Sequence, residues 1–586
     1  MTLLLRAGTG ALCAAVLGVA FSACYTAGQG TPPPMKAFYF PTGLTVSRGG
    51  NVLYAANSDF DLQWNGGTLQ SLDLYKIRHD AAALVQANLT RAPAPPAGIP
   101  WVSSEGGPGP GWTPNCLDQP PPTTGYGLGV QLQQGCAPAV DVSQYIFDSA
   151  IIGAFATALQ LSHDGRRIFA PISGNATVTW ADVAYDDPNG ATPTPGNQGA
   201  FAPMQIDCGV RTNSRCDSLH QTGNDPYSPG NTRNATMPGE PFGMAQTEDG
   251  AALAVTSETD TKTSLLTTGL GMFSQLARGY PAGTPTMQFV LDGLPMGGVG
   301  IAAVPHDPYA VRRCEDVGDQ QPCIRQAFLQ ANRNTNEVDL IRYYDDDGSS
   351  LLRPFYAKER AYSLASNYQG TDFRGIVIDP TPRLACQATA VTTADRIACG
   401  QIPARVFIAS RTPASLVISS LGGTVQGQYD PDLLVTTGLI PLPAGPSNVY
   451  LAPVVVPDSP DGAPRYALRV FVVLYDSNAI AVIDPNHAPP IVEGYIPTGP
   501  GPDAMAFDPF SLSDVATNAV VPVDPRQPPS LALRRYRFAY VGIFTQSYMQ
   551  AVDLDFSATK GETFERVVFN LGAPSIPLGQ QQGPQL

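Results

Sequence analysis

Short apolar runs recur along this chain in one fixed order: a small or apolar lead-in residue, a run, a turn, a second run, a polar knot and a third run. The order is met seven times. It begins at Pro41 with PTGLTVSRGGNVLYAANSDFD and TLQSLDL, and returns at Phe155 with FATALQLSHDGRRIFAPISGNATVTWADV and at Pro241 with PFGMAQTEDGAALAVTSETDTKTSLL. Further copies start at Pro295, Asp372 and Gly445, and the last reads GPDAMAFDP and RFAYVGIFTQSYMQAVDLD from Gly501. Short period-two runs bounded by Gly, Pro, Asn and Asp predict antiparallel strands. Each copy is one supersecondary unit that must stack on neighbours to bury its faces. The pattern therefore predicts an all-β, seven-bladed β-propeller with long loop insertions between strands.

Length alone points elsewhere, since 586 residues at about 150 per domain would make about four domains. The repeats override it, and one ring over residues 36–577 is expected, followed by a flexible tail at 578–586. With 58 Gly and 57 Pro against 43% hydrophobic residues, the balance is that of many short strands joined by turns, and disorder would need more charge. Segments such as PTMQFVLDGLPMG, PDLLVTTGLIPLPAGPSN and PPIVEGYIPTGPGPDA fit the outer strand of one blade crossing to the inner strand of the next. MKAFYF at 35–40 precedes the first copy as such crossovers do. It is expected to close the ring by pairing with the last blade.

The net charge of −15 comes with scattered Lys and Arg, and without a basic stripe a nucleic-acid partner is not expected. Arg6, an apolar run from Ala11 to Phe21 and the sequence FSAC ending at Cys24 read as an export signal over residues 1–23. This stretch resembles a bacterial lipoprotein signal. The resemblance implies lipid on Cys24 and, with Tyr25 rather than Asp after it, the outer membrane. Residues 24–35, with GQGTPPP, then read as a tether.

Eight further cysteines fall into four local pairs: Cys116 with Cys136, Cys208 with Cys216, Cys314 with Cys323, and Cys386 with Cys399. An even count in an exported chain predicts disulfides, each pinning an insertion. No CxxC or CxxCH occurs and the chain has five His, so neither zinc nor haem is expected.

Residues 470–508, VFVVLYDSNAIAVIDP through VEGYIPTGPGPDAMAFDP, resemble the YVTN-type seven-bladed propellers of bacterial surface and periplasmic proteins. That resemblance names a fold and a place, and no reaction. Topology adds a candidate binding face, because the loops between the second and third strands emerge at the same end as the crossovers. Those loops hold Asn57, Ser58, Asp59, Ser173, Asn175, Glu258, Asp260, Asn332, Asn336, Arg411, Asp476, Asn478, Gln546 and Ser547. Such a ring suits a sugar, a peptide or a cation, although tight turns select the same residue types.

Asp345, Asp346 and Asp347 before Gly348 resemble part of a calcium loop but lack EF-hand alternation. His163 falls in a strand-joining SHDG turn that TEDG at 247–250 repeats without a His, and nothing matches a nucleophile elbow. No catalytic residue and no cofactor is assigned. The expected function is a non-catalytic binding or scaffold module, held to the envelope by its lipid and meeting an envelope protein or glycan. The alternatives are a lactonase-like propeller hydrolase and a purely structural envelope component.

Overall fold

The computed structural model describes residues 30–99, 101–102, 115–119, 128–129, 136–186, 204–270, 283–314, 323–349, 353–364, 371–457, 463–521 and 537–574. Its strands form seven sheets, each built on the strands of one blade in sequence order, and the seventh also takes in Ala139–Val140 and Trp101–Val102 from the blade 1 insertion. The chain is an all-β, seven-bladed propeller. Innermost strands run Pro41–Val46, Gln160–Leu161, Pro241–Gln246, Gly298–Ala303, Phe373–Asp379, Pro446–Val456 and Pro502–Phe507 in blades 1 to 7. The outer strands Thr286–Leu291, Gln428–Pro441 and Ile491–Pro497 lie in the three crossover segments the sequence marks. Blade 2 is the least regular, its fourth strand reduced to Ile206–Asp207 and Gln221–Thr222.

The core lies between blades. Phe407, Ala409 and Leu416 of blade 5 pack on Val470, Val472 and Leu474 of blade 6, all fully buried. A buried phenyl ring of this kind contributes about 1.5–3 kcal/mol of apolar transfer. The lower hairpins repeat one turn: Gly50, Gly165 and Gly250 donate backbone N–H bonds to Ser47, Ser162 and Thr247 at 2.9, 2.8 and 2.8 Å. Those glycines have φ of 75°, 75° and 70°, and His163 sits in the second of these turns, away from the other end of the ring.

Ring closure departs from the expectation. Residues 35–40 form no strand; Lys36 Nζ donates to the Ile146 carbonyl at 2.6 Å and Ser149 Oγ to the Met35 carbonyl at 2.6 Å, so the segment lies along blade 1. Blade 7 needs no borrowed fourth strand, because Val567–Leu571 from its own stretch of chain fills that place. Instead, the insertion after the third strand of blade 1 reaches across. Its strand Ala139–Val140 pairs in parallel with Asn570 and Leu571, and Asn570 Nδ2 donates to the Ala137 carbonyl at 2.7 Å. The insertion's helix Leu74–Leu89 buries Ile77, Leu84 and Val85 in the same cluster as Phe538, Val568 and Phe569 of blade 7.

All four disulfides join the local pairs, with Cα separations of 5.6, 5.1, 4.9 and 5.3 Å in chain order. Cys116–Cys136 lies in the blade 1 insertion, and its sulfurs belong to the cluster that joins blades 1 and 7. Among the described residues no helix is long and apolar enough to cross a membrane.

Candidate functional site

Each innermost strand slips against its neighbour near its start. Bulges fall between Pro41 and Gly43, Pro241 and Met244, Gly298 and Gly300, Phe373 and Ile376, Pro446 and Val449, and Pro502 and Met505. In blade 2 the slip lies between the Ala156–Ile172 bridge and the Gln160–Phe169 pair. A bulge re-aims a side chain out of the ladder. The bulge residues Thr42, Thr157, Phe242, Val299, Arg374, Ser447 and Asp503 accordingly line one central cavity of about 820 Å³. That lies within the ~300–1,000 Å³ range of small-molecule sites. Neighbouring inner strands come so close here that a Cβ on Gly243 would stand 2.1 Å from the Val299 carbonyl oxygen, and one on Gly300 1.9 Å from that of Arg374.

The residue before each bulge turns the chain through the left-handed region in six blades. Gly297, Gly445 and Gly501 do this in blades 4, 6 and 7, while Phe40, Phe155 and Glu240 take φ of 47°, 59° and 49° in blades 1 to 3. An L-side chain pays roughly 1–2 kcal/mol for that conformation, which glycine adopts freely. The two phenylalanines are thus held for their rings. Phe40 underlies Phe60 and Phe544 with ring centroids 6.0 and 5.1 Å away, and Phe155 meets Phe60 edge-on at 5.9 Å. Tyr475 continues the arc, 6.3 Å from Phe544. Blades 6, 7, 1 and 2 give the mouth an aromatic wall.

Blades 4 and 5, across the ring from blade 1, bring three guanidinium groups. Arg374 is held by both oxygens of Asp372 at 2.6 and 3.2 Å, Arg411 by Asp476 at 2.6 Å, and Arg333 by Glu258. Partial burial and the neighbouring Arg374 and Arg411 charges lower the Arg333 pKa. These pairs fix the side chains as preorganised donors and acceptors.

Asp503 stands apart from them. Its carboxyl borders the cavity with no ion-pair partner among the described residues, and loss of solvation alone pushes its pKa up to about 7. Its charge in turn raises the pKa of Tyr475, after the larger effect of that phenol's own burial. A carboxyl so perturbed in a cleft is a candidate functional position.

The polar ring expected from the sequence divides. Ser58, Ser173, Glu258 and Arg411 line the cavity, and Asp476 pairs with Arg411 at its rim. Asp260 pairs with Lys262, Asn175 Nδ2 donates to Gln221 and Asn336 Nδ2 to Ser363, all outside the lining. Asn57, Asp59 and Asn332 are fully buried and do not face the opening. Asn57 Nδ2 donates to Thr68 Oγ1 at 2.9 Å, Asn332 Nδ2 donates to Asp339 at 3.0 Å, and Asp59 accepts the Trp64 N–H at 3.1 Å. Burial pushes the Asp59 carboxyl up to about 7. Asn478 and Ser547, both left-handed, accept the N–H groups of Gly501 and Phe40. Gln546 ends the short turn before Ser547 and does not line the cavity. Asp345 and Asp347 diverge to separate arginines, Arg325 and Arg233. Among the described residues no three His, Cys, Asp or Glu side chains gather as a metal site.

Arg333, Arg374, Asp503, Phe155 and Phe544 were not among the sequence candidates. The signal was in the alignment of the copies: PTG, PFG, GVG, FRG, PSN and PDA share their frame and vary at the central residue.

No protein-family model matches the chain, and no curated protein matches it. Among solved structures, it is similar to a putative 6-phosphogluconolactonase from Bacteroides uniformis at 12% identity and a TM-score of 0.36, covering 78% of this chain and 85% of that one. A periplasmic gluconolactonase of Pseudomonas aeruginosa aligns at 13% and 0.35, covering 76% and 81%. Hydrazine synthase of Kuenenia stuttgartiensis aligns at 10% and 0.38, covering 90% and 99%. Likeness of this degree assigns no activity, and the fold stands on the sheet topology.

Proposed function

We propose that this protein is an extracytoplasmic binding module of the YVTN-type propeller class, tethered to the outer membrane by lipid on Cys24, whose central cavity holds a saccharide. The observation that carries this reading is the two-sided mouth. The C–H face of a sugar ring lies against aromatic rings, and its hydroxyls pair with fixed carboxylate and guanidinium groups. Phe60, Phe155, Phe544 and Tyr475 offer the first surface and the Arg374–Asp372 and Arg411–Asp476 pairs the second. The four disulfides accord with an oxidising compartment. Cys24 lies outside the described residues.

Calorimetric titration of residues 30–586 with neutral monosaccharides and uronic acids tests this. Saturable binding is expected, lost in Arg374→Ala and Phe544→Ala while circular dichroism stays unchanged. Absence of binding to every sugar would overturn it.

A lactonase-like hydrolase is the second reading, and Asp503 favours it. A carboxyl titrating near neutral pH is suited to general acid–base work. Turnover of lactones that disappears in Asp503→Asn would put hydrolysis first.

A further inference from the structure

The chain enters the ring at the end that carries the cavity mouth. Thr31 bridges Trp64, and the Asn65 backbone N–H donates to the Thr31 carbonyl at 3.0 Å. Trp64 and Asn65 belong to the blade 1 loop that also carries Phe60 and Leu62. Six peptide links separate Gly30 from Cys24. Fully extended, they reach about 20 Å.

That length excludes one orientation. The strand Ala404–Arg411 runs the height of blade 5 from the opposite end to the mouth, and its eight residues at a rise of about 3.3 Å span roughly 25 Å. A lipid on Cys24 therefore cannot reach past the ring to a bilayer lying against the opposite end. The mouth end is also furnished for an interface. Phe60, Leu62 and Met296 stand there 57%, 38% and 50% exposed. The left-handed conformations of Asp59 and Leu62 hold that loop in its outward turn. Exposed aromatic and aliphatic side chains are what the headgroup boundary of a bilayer accepts.

We propose that the cavity mouth faces the membrane carrying the Cys24 lipid, and that the saccharide it takes is the headgroup of a glycolipid in that same membrane. This rests on the anchor and the saccharide site proposed above. Tethering turns capture of such a headgroup into an encounter at high effective concentration, so weak contacts suffice. A rim of Phe60, Leu62 and Met296 settles at the boundary, and the sugar rises between the aromatic wall and Arg374.

The test uses the full lipidated chain in vesicles of phosphatidylethanolamine and phosphatidylglycerol, part of it nitroxide-labelled at the headgroup, with or without lipopolysaccharide. Emission added by Met296→Trp is expected to be largely quenched, and emission added by Val391→Trp, between the helices Thr381–Thr389 and Thr393–Gly400 at the opposite end, to persist. Equal or reversed quenching would overturn the orientation. Lipopolysaccharide should shift the Met296→Trp emission, and the shift should vanish with Arg374→Ala; no shift while the orientation holds would overturn the headgroup assignment. A chain that arrives without lipid is coupled through the Cys24 thiol to a maleimide phospholipid. Failure of natural anchoring is thereby kept separate from failure of orientation. Soluble domain that binds free sugars while the mouth points away leaves the saccharide site standing and removes only this inference.

Discussion

Arg374 and Asp503 occupy one structural position in two blades, each the first residue inside the bulge of its innermost strand. One position thus supplies a fixed positive charge in blade 5 and, in blade 7, a carboxyl pushed up to about 7. The ring frame is constant and the chemistry is set blade by blade.

Asp503 couples stability to pH in a defined direction. Its folded pKa stands above the ordinary 3.8, so between about 4 and 7 the folded state binds the extra proton and stability falls as pH rises. Asp503→Asn should therefore melt with the parent at pH 4 and a degree or two above it at pH 8. Thermal scans at the two pH values check this; an Asn variant less stable at pH 8 would refute it.

Phe155→Gly separates ring from backbone. Its φ of 59° favours glycine, so the melting midpoint should stay or rise, while loss of the ring weakens sugar binding by about tenfold. Paired scans and titrations read both. A large loss of stability would show that the ring serves packing instead.

Removing the Cys116–Cys136 bond by Cys116→Ala with Cys136→Ala should cost about 3 kcal/mol for a loop of 20 residues. Amide exchange should speed up in Val567–Leu571, because the insertion grips that strand. Cys314→Ala with Cys323→Ala, in a loop between strands of blade 4, should speed exchange only locally.

On the proposed lipid anchor, Cys24→Ala should move the protein from the membrane to the soluble fraction, read by fractionation. Acyl chains contribute about 0.8 kcal/mol per buried methylene, and no described helix replaces them. Retention in the membranes would place the anchor elsewhere.

The blades were legible because each copy carries its own turns and its own period-two runs, and stacking repeats one set of local rules. The site was legible in part. Glu258 and Arg411 line the cavity, and loop position alone decides which end they occupy. Asn57 and Asn332 share that position in sequence, yet their amides satisfy neighbouring groups inside the blade, and turn chemistry selects the same residue types as a binding face. Asp503 was hidden because a one-residue bulge leaves no mark in a hydrophobic pattern; only its contrast with Arg374 and Thr42 at the same place in other copies discloses it. Closure is hidden for a related reason. The strand that achieves it, Ala139–Val140, is two residues long and lies in an insertion with no repeat to announce it.

Because every blade is made from one continuous stretch of chain, the order of synthesis is also the order around the ring. The gripping insertion is complete long before Val567–Leu571 leaves the ribosome. It waits for a partner made almost last. Loss of the final strand would then leave six blades correctly formed around an unsealed gap, with the edge of Ala139–Val140 open to any passing chain.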